Sequence, residues 1–153
     1  MTRKRCKRKV YALIDTLTHA REGAAITPEA TLNKVRLLEL GQIDAFARGQ
    51  ATMADLRGIT EMLNVCETMA DTGIGREASE ACQEGEKACL AVMRRFEKWG
   101  KLEATKDEVQ AFRELFAWHD AQRTAIPRST YERAIQLTQD RIRSGHPSCK
   151  VIA

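Results

Sequence analysis

Between Thr27 and Gly145 the chain is punctuated by start and stop signals for helices, and an apolar stripe at helical spacing fills each interval. Thr27-Pro28-Glu29 sets a capping residue before a proline at the first helical position and an acid in the first turn. Leu32, Val35, Leu38 or Glu39, Ile43 and Phe46 follow on one face, with Gly41 a mild interior cost, and Arg48-Gly49 ends the helix. Thr52 and Asp55 hold the positions of a capping box ahead of Leu56, Ile59, Leu63, Cys66 and Ala70; Asp71 to Gly75 then break the run.

A third helix is predicted from Glu77 to Gly100, with Ala78, Ala81, Cys82, Gly85, Ala88, Cys89, Val92, Met93 and Phe96 along one side. The small residues on that side admit close approach of a neighbouring helix. Thr105 and Glu108 form a capping box before Val109, Phe112, Leu115, Phe116 and His119, and Ile126-Pro127 closes that helix. Ser129 and Glu132 form another, opening a last helix through Tyr131, Ala134, Ile135, Thr138 and Ile142 that stops at Ser144 to Pro147.

Short connections favour antiparallel neighbours, so the expected fold is all-α, a compact bundle of about five mostly antiparallel helices. An apolar fraction of 43 % with only 5 % aromatic residues calls for an aliphatic, Ala- and Met-rich interior. At 153 residues one domain is the default. The organisation expected is a basic N-terminal arm over 1–26, a helical domain over 27–143 and a C-terminal tail over 144–153 whose last six residues are loose. The run Val10–Ile14 has no second strand-like run to pair with, so it reads as a helical turn or an extended arm.

Charge is segregated. Thr2 to Val10, TRKRCKRKV, carries Arg3, Lys4, Arg5, Lys7, Arg8 and Lys9, and residues 123–153 are also net basic, whereas 11–122 hold 13 basic against 19 acidic side chains. This is a polar molecule with two basic ends and an acidic middle, unlike a uniformly basic nucleic-acid coat. The basic start is followed by only five apolar residues, too few for a signal or membrane segment, so a cytoplasmic protein without membrane attachment is expected. The five cysteines, Cys6, Cys66, Cys82, Cys89 and Cys149, then read as reduced thiols.

No metal or other cofactor is expected. Cys82 and Cys89 lie two helical turns apart, roughly 10 Å in rise, too far to share one zinc. Cys66 stands on an aliphatic stripe, and His146 with Cys149 lacks a C-x2-C partner. No enzymatic activity is expected either. His119 and Asp120 are adjacent and so point in different directions, and the carboxylate pairs Glu39 with Asp44, and Glu77 with Glu80 and Glu84, are of a kind helix surfaces carry routinely. Gly73-Ile-Gly75 lacks the third glycine and the preceding strand of a dinucleotide site.

Two binding readings remain. A DNA or RNA contact would use the N-terminal cations together with Arg128, Arg133, Arg141 and Arg143, giving affinity and salt dependence without base specificity. A protein contact, or a homodimer formed through the bipolar charge, would use Glu77, Glu80 and Glu84, with Trp99 and Trp118 as anchors. For both tryptophans the ordinary alternative is packing at the edge of the core.

The basic start leading into YALID, the Thr27-Pro28-Glu29 opening followed by LNKVRLLEL, and the HDAQRT segment ending at Thr124 together give the chain its likeness. It resembles small uncharacterised accessory proteins of proteobacterial phages and prophages. That resemblance implies regulation of transcription, or inhibition of a host protein or defence complex by direct contact. The expectation is a non-enzymatic accessory protein that binds and modulates a host protein, with nucleic-acid binding as the alternative.

Overall fold

The structure is a computed structural model and describes residues 16–149. Among these residues it is an all-α compact bundle: α1 (Thr16–Ala24), α2 (Glu29–Ala47), α3 (Met53–Asp71), α4 (Ser79–Trp99), α5 (Lys106–Thr124) and α6 (Arg128–Ser144), with a 3-10 turn at Arg76–Ala78. α1 lies within the span read from sequence as an arm; it packs on α6, and Gly23 comes close enough that a Cβ there would lie 3.2 Å from that of Ser129.

α3 is the centre. It packs against α2, α4, α5 and α6, and the expected stripe of Leu56, Ile59, Leu63 and Cys66 is wholly buried. Thr52 and Asp55 cap it reciprocally, Asp55 Oδ2 accepting from the Thr52 amide at 2.7 Å. Thr105 and Glu108 do the same for α5, where the Glu108 amide donates to Thr105 Oγ1 and Glu108 Oε2 accepts from the Thr105 amide. Arg95, near the end of α4, reaches both Glu108 and the Glu103 carbonyl, which ties the α4–α5 connection to both helices.

The small-residue side of α4 meets α5 as its composition demands. A Cβ on Gly85 would stand 3.1 Å from Leu115 Cδ2, so no larger residue fits there without displacement. The connection between α3 and α4 turns on Gly73 and Gly75, both at positive φ, where only glycine is unstrained.

Two helix starts differ from expectation. α2 begins after Pro28 and α6 after Pro127, each proline holding φ near its ring-fixed value with extended ψ. The Pro28 and Pro127 carbonyls accept the first turn's amides, and the Arg128 amide donates to the Ala25 carbonyl at 3.0 Å, linking the two starts. Ser129 is therefore inside α6 against Gly23, where it cannot act as the N-cap. At the other end the chain turns back: the Cys149 amide donates to the His146 carbonyl and the side chain is buried, so Cys149 is not part of a loose tail.

Candidate functional site

α2 and α6 both flank α3, and an apolar groove opens between them. Its floor is α3 at Gly58, Met62 and Val65; one wall is α2 at Val35 and Leu38, the other α6 at Ile135 and Ile142. This part encloses about 400 Å³. A second hollow of about 310 Å³, running towards Pro28, Thr31 and Arg128, shares Val35, Tyr131 and Ile135 with the first. Together they follow α2 from its start to Gln42, about 20 Å of helix.

The groove exists because α2 does not bury the residues its apolar pattern nominates. Leu32, Ile43 and Phe46 enter the core, but Leu38 is 64 % exposed and the residue beside it, Glu39, is buried in its place. Val35 is also exposed, at 38 %. The expected stripe is thus corrected at Val35, and of the two residues that could continue it, Leu38 or Glu39, it is Glu39 that turns inward. Leu37 and Leu40 add to the exposed leucines of this helix.

Glu39 is drawn inside by Arg123 of α5. The Arg123 guanidinium donates from Nη1 to Glu39 Oε1 at 3.0 Å and brings Nη2 within 2.7 Å of Oε2. Its Nε donates to Asp120 Oδ1 at 2.9 Å. Asp120 in turn accepts from Arg36 Nε at 2.9 Å, and Arg36 Nη1 reaches Glu29 Oε1 at 2.6 Å. Two cations and three carboxylates therefore alternate across the α2–α5 contact.

Burial raises the Glu39 carboxyl above its ordinary value, against the opposing pull of Arg123. Burial would do the same to Asp120, but the Arg36 and Arg123 guanidinium groups outweigh it and hold that carboxyl below the usual range. Burial opposes charge on Arg123 too; the carboxylates of Glu39 and Asp120 more than offset it.

His119 closes the base of the groove. Burial, with the nearby positive charge of Arg123, pushes its imidazole down to about 3, so the ring is neutral near pH 7. Nε2 lies 3.1 Å from the Tyr131 hydroxyl of α6, whereas Nδ1 is 3.5 Å from Glu39 Oε1 and makes no hydrogen bond to the described residues. The geometry suits holding and orienting: apolar walls and floor, with the ion-paired Glu39 and the neutral His119 at one end. Glu39 and His119 each stood on an otherwise apolar stripe, which is the sequence signal for a buried polar pair; Arg123 carried no such signal.

The residues nominated from sequence are not gathered there. Glu77, Glu80 and Glu84 are exposed around the start of α4, and Glu84 pairs with Lys87 at 2.6 Å. Trp99 is 60 % exposed with Lys98 Nζ 4.9 Å from its ring centroid, and Trp118 is 37 % exposed, so neither is sealed into the core edge. On α6, Arg128 pairs with Glu132, Arg141 with Asp71 and Arg143 with Asp140, at 2.6–2.9 Å, while Arg133 is exposed. Arg3, Lys4, Arg5, Lys7, Arg8, Lys9 and Cys6 lie outside the described residues.

Cys66 shares a hydrogen bond with Cys82, and that bond together with burial raises its thiol; burial pushes Cys89 up to about 12. Both are inert thiols. Among the described residues no three His, Cys, Asp or Glu side chains converge on a metal position, and no helix is long and apolar enough to cross a membrane. Comparison with known protein families, characterised proteins and solved structures returns no match.

Proposed function

We propose that the chain is a non-enzymatic interaction protein that seats an apolar, helical segment of a protein partner in the groove between α2 and α6. The observation that carries the reading is the groove itself: elongated along α2, walled by Val35, Leu38, Ile135 and Ile142, and open to solvent. Its length matches several turns of a helix, and aliphatic anchors on one helix face fill grooves of this kind. The charged groups beneath it are paired with one another, which supports a role in shaping the groove. Blocking a host protein by direct contact, the role implied by the resemblance to phage accessory proteins, needs such a surface. Glu77, Glu80 and Glu84 line neither hollow, and three of the four α6 arginines considered for nucleic acid already face carboxylates.

The test is photo-crosslinking in host extract, with p-benzoylphenylalanine at Gln139 on the groove rim or at Glu80 on α4, followed by titration of the identified protein. A discrete adduct from position 139 whose partner loses at least about tenfold in affinity for Ile135→Glu supports the reading. Adducts from position 80 alone move the contact to α4. Duplex DNA binding that persists at physiological salt and falls with Arg133→Glu replaces it with the nucleic-acid alternative.

A further inference from the structure

The outward face of α2, distinct from the wall it gives the groove, carries a seam of its own. Ala30, Lys34, Leu37, Gly41, Asp44 and Arg48 recur at alternating spacings of four and three, which sets them in one row along the helix face. All lie at the surface: Leu37 is 73 % exposed, and Leu40 beside the seam is 42 % exposed. Gly41 has no reason within the described chain to be glycine. Its φ is helical, and an added Cβ would meet nothing within 4 Å. A mid-helix glycine in open space forgoes helix propensity without any return from its own fold.

The seam is self-complementary when run antiparallel. Reversed about a two-fold axis level with Glu39, Leu37 comes level with Gly41 of the second copy, and Lys34 comes level with its Asp44. The bulky residue meets the residue with no side chain, and the cation meets the carboxylate. A two-fold axis makes both matches twice. Among the described residues Asp44 pairs with Arg48 at 2.7 Å, an exposed pair that is readily exchanged. We propose that two copies of this chain associate through α2, antiparallel, with Leu37 seated on the partner's Gly41 and Lys34 paired with the partner's Asp44. Exposed leucine and glycine then supply close backbone approach, and the charges set the register. The seam residues Lys34, Leu37, Gly41 and Asp44 do not line the groove, so this inference stands or falls separately from the one above.

Sedimentation equilibrium of the full chain over a concentration series tests it, with circular dichroism to verify folding. Wild type should be a reversible dimer, and Leu37→Glu a folded monomer at the same concentrations. Gly41→Ala should act in opposite directions: it raises the melting temperature of the dilute monomer and weakens the dimer about tenfold, because the methyl group separates the helices. Lys34→Asp and Asp44→Lys should each weaken association about fivefold or more, and the chain carrying both should recover to within about threefold of wild type. A wild type that stays monomeric up to its solubility limit overturns the proposal. So does a dimer indifferent to Leu37→Glu, or one in which the two charge reversals add instead of cancelling.

Discussion

Arg123 and Glu39 form an ion pair across the α2–α5 contact with both side chains buried, and Asp120 bonds the same guanidinium from its other edge. Deleting one member leaves an uncompensated charge in a dry setting, which costs far more than the net worth of the pair. Arg123→Met should therefore lower stability to urea by about 3–5 kcal/mol. Replacing both, as Glu39→Met with Arg123→Met, removes the stranded carboxylate, and Asp120 keeps Arg36. The double variant should regain most of the loss. A double variant no more stable than Arg123→Met would assign the cost to packing instead of charge.

His119 gives the fold a pH dependence of definite sign. Its folded value is depressed to about 3 from 6.5, so the unfolded chain takes up a proton that the folded chain refuses. The stabilisation is complete above the unfolded value and is lost as pH falls from about 6.5 towards 3, at up to about 1.4 kcal/mol per pH unit. Asp120, also depressed, adds a loss of the same sign only below its ordinary range. Glu39, raised, works in the opposite direction above its ordinary value and partly flattens the curve. Between pH 7 and 5 the urea midpoint of wild type should fall, and His119→Gln should reduce the slope. An unchanged slope in His119→Gln would remove the buried neutral histidine as its cause.

The helical class and the stripes of α3 and α4 were legible because each rests on local information, a cap and a period. The site was harder to read. On α2 the choice between Leu38 and Glu39 as the inward residue was open, since apolar periodicity favours leucine. It was settled by Arg123, 84 residues away, whose charge makes burial of the carboxylate the better arrangement. The starts of α2 and α6 were each misplaced because Pro28 and Pro127 stand at the boundary itself, and Ser129 is committed to packing against Gly23 of α1. The groove had no sequence signature at all, because it is a gap between helices that are distant in the chain.

Gln122 holds the α3–α4 connection in place. Its buried amide nitrogen donates to the Ile74 carbonyl at 2.8 Å and the Cys66 carbonyl at 3.2 Å, and its Cγ would lie 2.9 Å from a Cβ on Gly75. Gln122→Met keeps the volume and strands the carbonyls, so a loss of about 1–3 kcal/mol is expected. Hydrogen exchange should report it locally, with lost protection at the amides of Gly73 and Ile74, which bond to Ala70 and Met69. Uniform loss across all helices would mean that Gln122 supports the whole core and not the connection.

Gly85 separates close packing from helix propensity. Alanine is the better helix former by about 1 kcal/mol, and on an open helix face the substitution stabilises. Here the added methyl meets Leu115 Cδ2 at 3.1 Å, and Leu115 is itself fully buried on α5. Gly85→Ala should consequently gain little or nothing, while Gly85→Val should cost about 1–3 kcal/mol through overpacking. Shortening Leu115 gives the discriminating measurement. In a Leu115→Ala background, Gly85→Val should lose much of its penalty, because the added methyls enter the space the leucine vacated. Additive losses in that double-mutant cycle would show that Gly85 is held small by something other than Leu115.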